Sequence, residues 1–225
     1  GALAALETDR TIRVVVLRGA GRAFCAGHDL AQMQAARQSE DGGRAYFANL
    51  FDRCTTVMLA LQRLPQPVIA RVNGIATAAG CQLVATCDMA VAAEDTRFGV
   101  NGVNIGLFCS TPMVALTRNV PRKVAFEMLT TGEFIDADRA REVGLVNRVV
   151  PPESLSDTAM HLAQTIAAKL PAAVQMGKRA FHAATTEALG AAYEHAACVM
   201  VDNMMLADTD EGITAFVEKR KPGWA

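Results

Sequence analysis

The sequence has almost no net charge, no paired cysteines, few histidines and no long apolar run, and each shortage removes a class of function. Lys and Arg number 22 against 23 Asp and Glu, a formal charge of −1, which offers nucleic acid no basic surface. No apolar stretch reaches the roughly 20 residues needed to span a bilayer. The start, Gly1-Ala-Leu-Ala-Ala-Leu-Glu7, lacks the basic and apolar regions of a secretory signal. The six cysteines (Cys25, Cys54, Cys81, Cys87, Cys109, Cys198) contain no Cys-x-x-Cys pair and several lie in apolar runs. They read as reduced thiols of a cytoplasmic protein. The four histidines are scattered and none pairs with a cysteine at metal-site spacing, so no metal is expected. A Gly-x-Ser-x-Gly nucleophile elbow is missing too.

What is present is a chain of 225 residues with 51% hydrophobic content, enough for one domain of ordinary size with a helical section appended. Apolar runs at 11–17, 67–72 and 89–93 read as strands. Between the first two, Phe47, Leu50, Phe51, Val57, Met58 and Leu61 recur near a 3.6 period, so 44–64 reads as a helix stopped by Pro65. A second helix follows at 80–87. Alternating strands and helices predict an α/β fold with a largely parallel sheet. Past Pro112 only 145–150 reads as a strand, and helices are expected at about 121–131, 137–143, 153–169, 171–185, 188–207 and 210–220. Asp136 and Gly144 are the expected caps of the second of these. No repeat or linker interrupts the chain. The polar segment 31–45 reads as a mobile lid.

Two turns of small residues stand out: Ala23-Phe-Cys-Ala-Gly-His-Asp-Leu30 and Asn73-Gly-Ile-Ala-Thr-Ala-Ala-Gly-Cys-Gln-Leu83. Each follows a strand-like run, and the second opens into a helix. Small residues let backbone approach a ligand closely, and the free N–H groups of a helix start favour negative charge. Brought together, two such turns would present a pair of amide donors to one oxygen, which suits polarising a thioester carbonyl and holding the enolate formed from it. Packing of strand against helix would use the same small residues.

Phe24-Cys-Ala-Gly-His-Asp-Leu30, then Val72-Asn-Gly-Ile-Ala-Thr-Ala-Ala-Gly-Cys-Gln-Leu83 with Cys87-Asp88, resemble the paired motifs of the enoyl-CoA hydratase/isomerase (crotonase) superfamily. Phe98-Gly99, Gly106, Leu129-Thr-Thr-Gly-Glu133, the stretch 140–147 and Phe216-Val-Glu-Lys-Arg-Lys221 continue the likeness in order. Asn104-Ile-Gly-Leu-Phe-Cys-Ser-Thr-Pro112 is similar to the branch called enoyl-CoA hydratase domain-containing protein 3. The resemblance implies a crotonase-like ββα superhelix over 1–150 and a C-terminal helical region over 151–225 that forms homotrimers, commonly stacked as hexamers. It implies an acyl-CoA ligand and no further cofactor. The thioester oxygen would accept from the backbone N–H groups of His28 and Ala79. Ala26, Asp29, Leu30 and Met33 would lie along the CoA and acyl path, with Ala78, Gly80, Asn101 and Cys109 beside it. Phe216 and Lys219 would reach the nucleotide part of CoA. The two strands that precede the first helix in such proteins are absent here.

The sequence departs from the family where hydratases carry two glutamates flanking a water. Those positions hold Gln82 and Gly102. Glutamine orients water but accepts no proton near neutral pH, and glycine does neither. Three readings stay open: an acyl-CoA enzyme working through enolate stabilisation with another proton-transfer group, a catalytically weak acyl-CoA-binding protein, and an oligomeric scaffold without CoA chemistry. Cys109, Ser110 or Thr111 could face the acyl group as a nucleophile or simply pack and cap a helix. Cys81 reads as a buried small side chain, and the His28 imidazole as a lining group or a catalytic one. Glu127 is spaced to pair with Lys123 at i−4. Met200 to Met205 read as a core or oligomer face.

Overall fold

The structure, a computed structural model, describes residues 1–224. In chain order its elements are α1 (Ala2–Thr8), β1 (Val15–Arg18), α2 (Leu30–Ala36), α3 (Arg44–Arg63), β2 (Val68–Val72), β3 (Ile75–Thr77), α4 (Ala79–Thr86), β4 (Met89–Ala93) and β5 (Arg97–Gly99). A 3-10 turn at Asn101–Ile105 leads to α5 (Ser110–Leu116), α6 (Arg122–Thr131), β6 (Ile135–Asp136), α7 (Ala137–Glu142), β7 (Arg148–Val150), α8 (Leu155–Ala167), α9 (Pro171–Ala184), α10 (Leu189–Met204) and α11 (Ala207–Val217). The chain packs as two compact units, one of residues 16–62 with 68–160, the other of residues 1–15 and 63–67 with the chain from His161 onward.

The first unit holds the sheets. One has strand order β1-β2-β4-β7, with β2/β4 and β4/β7 parallel. The other has order β3-β5-β6, with β3/β5 parallel and β5/β6 antiparallel. Val68, Ile69, Ala70 and Val72 on β2 and Ala90 to Ala93 on β4 are buried. An unbroken apolar run suits a parallel strand covered on both faces, where an alternating run would not.

Three segments differ from the sequence expectation, each for a local reason. The strand expected from residue 11 starts at Val15, because Thr11 folds back through its N–H and hydroxyl onto the Asp9 carboxylate at 2.8 and 2.6 Å. β7 is shorter than 145–150 because Asn147 bonds Ala90 in both directions, N–H to carbonyl at 2.9 Å and Oδ1 from N–H at 2.8 Å, while Leu145 and Val146 are buried ahead of the strand. Part of the expected lid, 31–45, is helix: the Asp29 carboxylate caps α2 by accepting from the N–H groups of Ala31 and Gln32, and Leu, Ala, Gln and Met are strong helix formers. Elsewhere local rules hold. Asp136 caps α7 by accepting from Arg139 N–H at 2.7 Å, and Gly144 past its end has φ +83°.

In the second unit α9 packs on α10, and the Lys178 ammonium donates to the Gln66 carbonyl at 3.0 Å. Beyond α11, Arg220 grips both Glu211 carboxylate oxygens at 2.6 and 2.8 Å. That guanidinium, with the Gly223 N–H, holds the Glu211 carboxyl down to about 2.

Candidate active site

The two small-residue turns meet through backbone. Cys25 and Ala76 form an isolated parallel bridge, Cys25 N–H donates to the Ile75 carbonyl at 3.1 Å, and Thr77 N–H donates to the Cys25 carbonyl at 3.0 Å. Gly80 lies directly against this junction, where a Cβ would run into the Cys25 carbonyl. Gly27, at φ +93°, faces Ala78, with 3.1 Å between the place of a Gly27 Cβ and the Ala78 Cβ. Ala78 itself sits at φ 50°, ψ −118°, a region L residues rarely occupy, with its N–H donated to the Gly99 carbonyl at 2.9 Å. Such strain costs on the order of 1–3 kcal/mol and gathers at functional sites. Ala78→Gly is therefore expected to gain about 1 kcal/mol after the entropy glycine loses on folding, read as a melting temperature raised by roughly 2–4 °C.

Among the described residues neither His28 N–H nor Ala79 N–H donates to a protein acceptor. Both residues line a cavity of about 480 Å³. Ala79 opens α4, so its N–H adds the positive end of a helix.

Most of the residues singled out from the sequence come together here. Ala26, His28, Leu30, Met33, Ala78, Ala79, Asn101, Gly102 and Cys109 all line this cavity, joined by Phe51, Thr77, Leu107 and Phe108, among others. Ser110 and Thr111 line it as well. Asp29 does not line it, and its carboxylate is spent on capping α2. Gly80 is buried against Cys25. Gln82 is buried on α4, its Oε1 3.9 Å from the Cys54 Sγ, and it is not a lining residue. Phe216 ends α11 near its last turn, and Lys219 follows at φ 57°, both in the other compact unit. Thr77 and Phe51 escaped the sequence reading. Phe51 was visible only as one tooth of the α3 periodicity, and Thr77 only as a small residue in the second turn.

The cavity wall carries no Asp, Glu, Lys or Arg among the described residues. The His28 ring meets Phe51 edge-on with centroids 5.8 Å apart, and burial lowers its pKa, favouring the neutral ring. Burial raises the Cys109 thiol, only partly offset by a bond from the Gly102 backbone, so Cys109 is held as a thiol. Cys81 is pushed up to about 12 by burial first and Cys109 second. Neither sulfur is an activated thiolate. Glu127, spaced to pair with Lys123, makes no ion pair with it among the described residues.

The lowered His28 pKa sets a sign for pH dependence. As pH falls the unfolded imidazole, near 6.5, takes a proton before the folded one does. The stability this group supports is present above about 6.5 and is lost as pH falls through that value toward the folded pKa. The drop in melting temperature between pH 7.5 and 5.5 should be smaller in His28→Phe than in the parent chain.

At Gly102, where the resemblance puts the second glutamate, no side chain fits. A Cβ there would lie 2.5 Å from the Leu107 carbonyl oxygen and 2.8 Å from the Cys109 Sγ. Leu107 N–H closes the loop by donating to the Gly102 carbonyl at 2.9 Å. The loop that follows has taken the space.

The sequence profile of the enoyl-CoA hydratase/isomerase family matches residues 1–225. The mitochondrial enoyl-CoA hydratase domain-containing protein 3 of Homo sapiens is 48% identical over 214 residues, spanning 95% of this chain and 69% of that protein. The 2,3-dehydroadipyl-CoA hydratase of Escherichia coli (strain K12) is 34% identical, over 98% of this chain and 84% of its own. The crystal structure of a Mycobacterium smegmatis enoyl-CoA hydratase superposes with a TM-score of 0.95 at 56% identity, covering 99% of this chain and 85% of that one. With the profile, these relatives and the crotonase fold in agreement, the chain belongs to the enoyl-CoA hydratase/isomerase family.

Proposed function

We propose that this chain binds an acyl-CoA in the cavity described above, its thioester oxygen accepting from the backbone N–H groups of His28 and Ala79. The observation that carries this reading is that two residues whose backbone N–H groups have no protein acceptor line one mostly apolar cavity without charged side chains. Donors fixed before the ligand arrives stabilise charge that develops on the oxygen, about 3–4 kcal/mol per donor in comparable sites. The cavity therefore favours the enolate over the ground-state thioester. Relatives named for enoyl-CoA and dehydroadipyl-CoA hydration support a CoA thioester as the ligand class.

A second reading, a binding protein with little turnover, is favoured by one fact: no carboxylate lines the cavity among the described residues. Phe216 and Lys219 are proposed to meet the CoA nucleotide. The region 151–225 is proposed as the surface of a homotrimer or hexamer. Tyr193, Met205, Phe216 and Val217 leave large apolar side chains exposed there, more than scattered surface residues require. No helix among the described residues is long and apolar enough to cross a membrane. Six free cysteines suit a reducing compartment; the sequence points to the cytoplasm, and the human relative is named as mitochondrial.

Thermal unfolding with butyryl-CoA tests the proposal. A ligand bound only by the folded state at 100 times its Kd adds about 2.7 kcal/mol, a rise of several degrees. CoA thioesters at millimolar concentration that leave the melting temperature unmoved would overturn it.

A further inference from the structure

The cavity holds two side-chain amides; that of Asn104 spends its Nδ2 on the Gly132 carbonyl at 3.3 Å, whereas that of Asn101 is held through its oxygen. The Thr77 hydroxyl donates to Asn101 Oδ1 at 2.7 Å. Thr77 is 8% exposed and ends β3, whose parallel register pairs it with Gly99 of β5, two residues before Asn101. With Oδ1 occupied by Thr77, the amide must turn its NH₂ the other way. Among the described residues Nδ2 has no acceptor, and Asn101 lines the cavity. Thr77 stands two residues before Ala79, a backbone span of at most about 7 Å. Asn101, held by Thr77, and Ala79 thus belong to one stretch of the cavity wall.

We infer that Asn101 is a specificity-determining residue: its Nδ2 donates to a neutral oxygen carried on one of the first acyl carbons of the bound thioester. This rests on the acyl-CoA reading above. A donor half-buried in an apolar wall is favourable only when it meets an acceptor. The lining has no cation to hold a carboxylate, so the acceptor it fits is a hydroxyl or ketone oxygen. Asn101 cannot take up the hydroxyl's proton, so it recognises such a group without removing it.

The test is calorimetric titration of the whole chain with butyryl-CoA, 2-hydroxybutyryl-CoA, 3-hydroxybutyryl-CoA and acetoacetyl-CoA. The parent chain should bind at least one oxygenated thioester about fivefold more tightly than butyryl-CoA, the worth of one neutral hydrogen bond. The hydroxy and keto ligands identify the carbon and the oxygen type. Asn101→Asp keeps the shape and still accepts from Thr77 but has no N–H to give, and Asn101→Ala removes the group. In both, the ratio of oxygenated to plain affinity should fall to near one. Equal affinities in the parent chain overturn the inference and leave the acyl-CoA reading standing, as does a preference that survives in either folded variant. Failure of every thioester to bind overturns the acyl-CoA reading, and this inference with it.

Discussion

Hydration of crotonyl-CoA by this chain is expected to run several powers of ten below ordinary enzymatic turnover of about 1–10³ s⁻¹. General acid–base groups each contribute about 10²–10⁴-fold, and the positions that the family resemblance assigns to them hold Gln82 and Gly102. The structure deepens the deficit. Gln82 is turned toward Cys54 instead of lining the cavity, and Leu107 and Cys109 occupy the room beside Gly102. No other lining group is set to take the role: Cys109 is held protonated by burial, and His28 lies edge-on to Phe51. Gly102→Glu should not restore activity either, because its Cβ would meet backbone at 2.5 Å and the loop would have to move. Loss of the conjugated thioester absorbance measures the rate. Turnover in the ordinary range would show that a group outside the cavity wall described here transfers the proton.

Gly80→Ala should be strongly damaging. Its added methyl would overlap the Cys25 carbonyl, which already accepts the Thr77 N–H at 3.0 Å. That contact is backbone against backbone, with no flexible side chain to give way. Relief requires the two turns to part, breaking the Cys25–Ala76 bridge. Overpacking costs about 1–3 kcal/mol or more, so the melting temperature should fall by roughly 5–10 °C. The same parting would separate the proposed donors, His28 and Ala79, so stabilisation by butyryl-CoA should vanish as well. A variant that melts like the parent and still responds to the ligand would mean that the two turns do not depend on this junction.

How much of this was legible beforehand follows the range of the forces involved. β2, β4, α3 and α4 were readable because apolar periodicity and flanking prolines act over a few residues. The two small-residue turns and the caps of α7 were readable for the same reason. α2 was local too, since Asp29 and the helix formers after it carried the signal, but the polar composition of 31–45 obscured it.

Other features depended on partners far along the chain. Gln82 shares a motif with Ala79, yet the phase of α4 sends it toward Cys54, 28 residues earlier. Asn101 acquires a direction only from Thr77, 24 residues before it. The space at Gly102 is filled by a loop whose path its composition did not indicate. Sequence by itself determined the family, the small-residue turns and the identities Gln82 and Gly102, because these reside in residue identity and short spacing. Tertiary structure alone decided which side chains face the cavity, because that depends on helix phase and long-range packing, which no local pattern encodes.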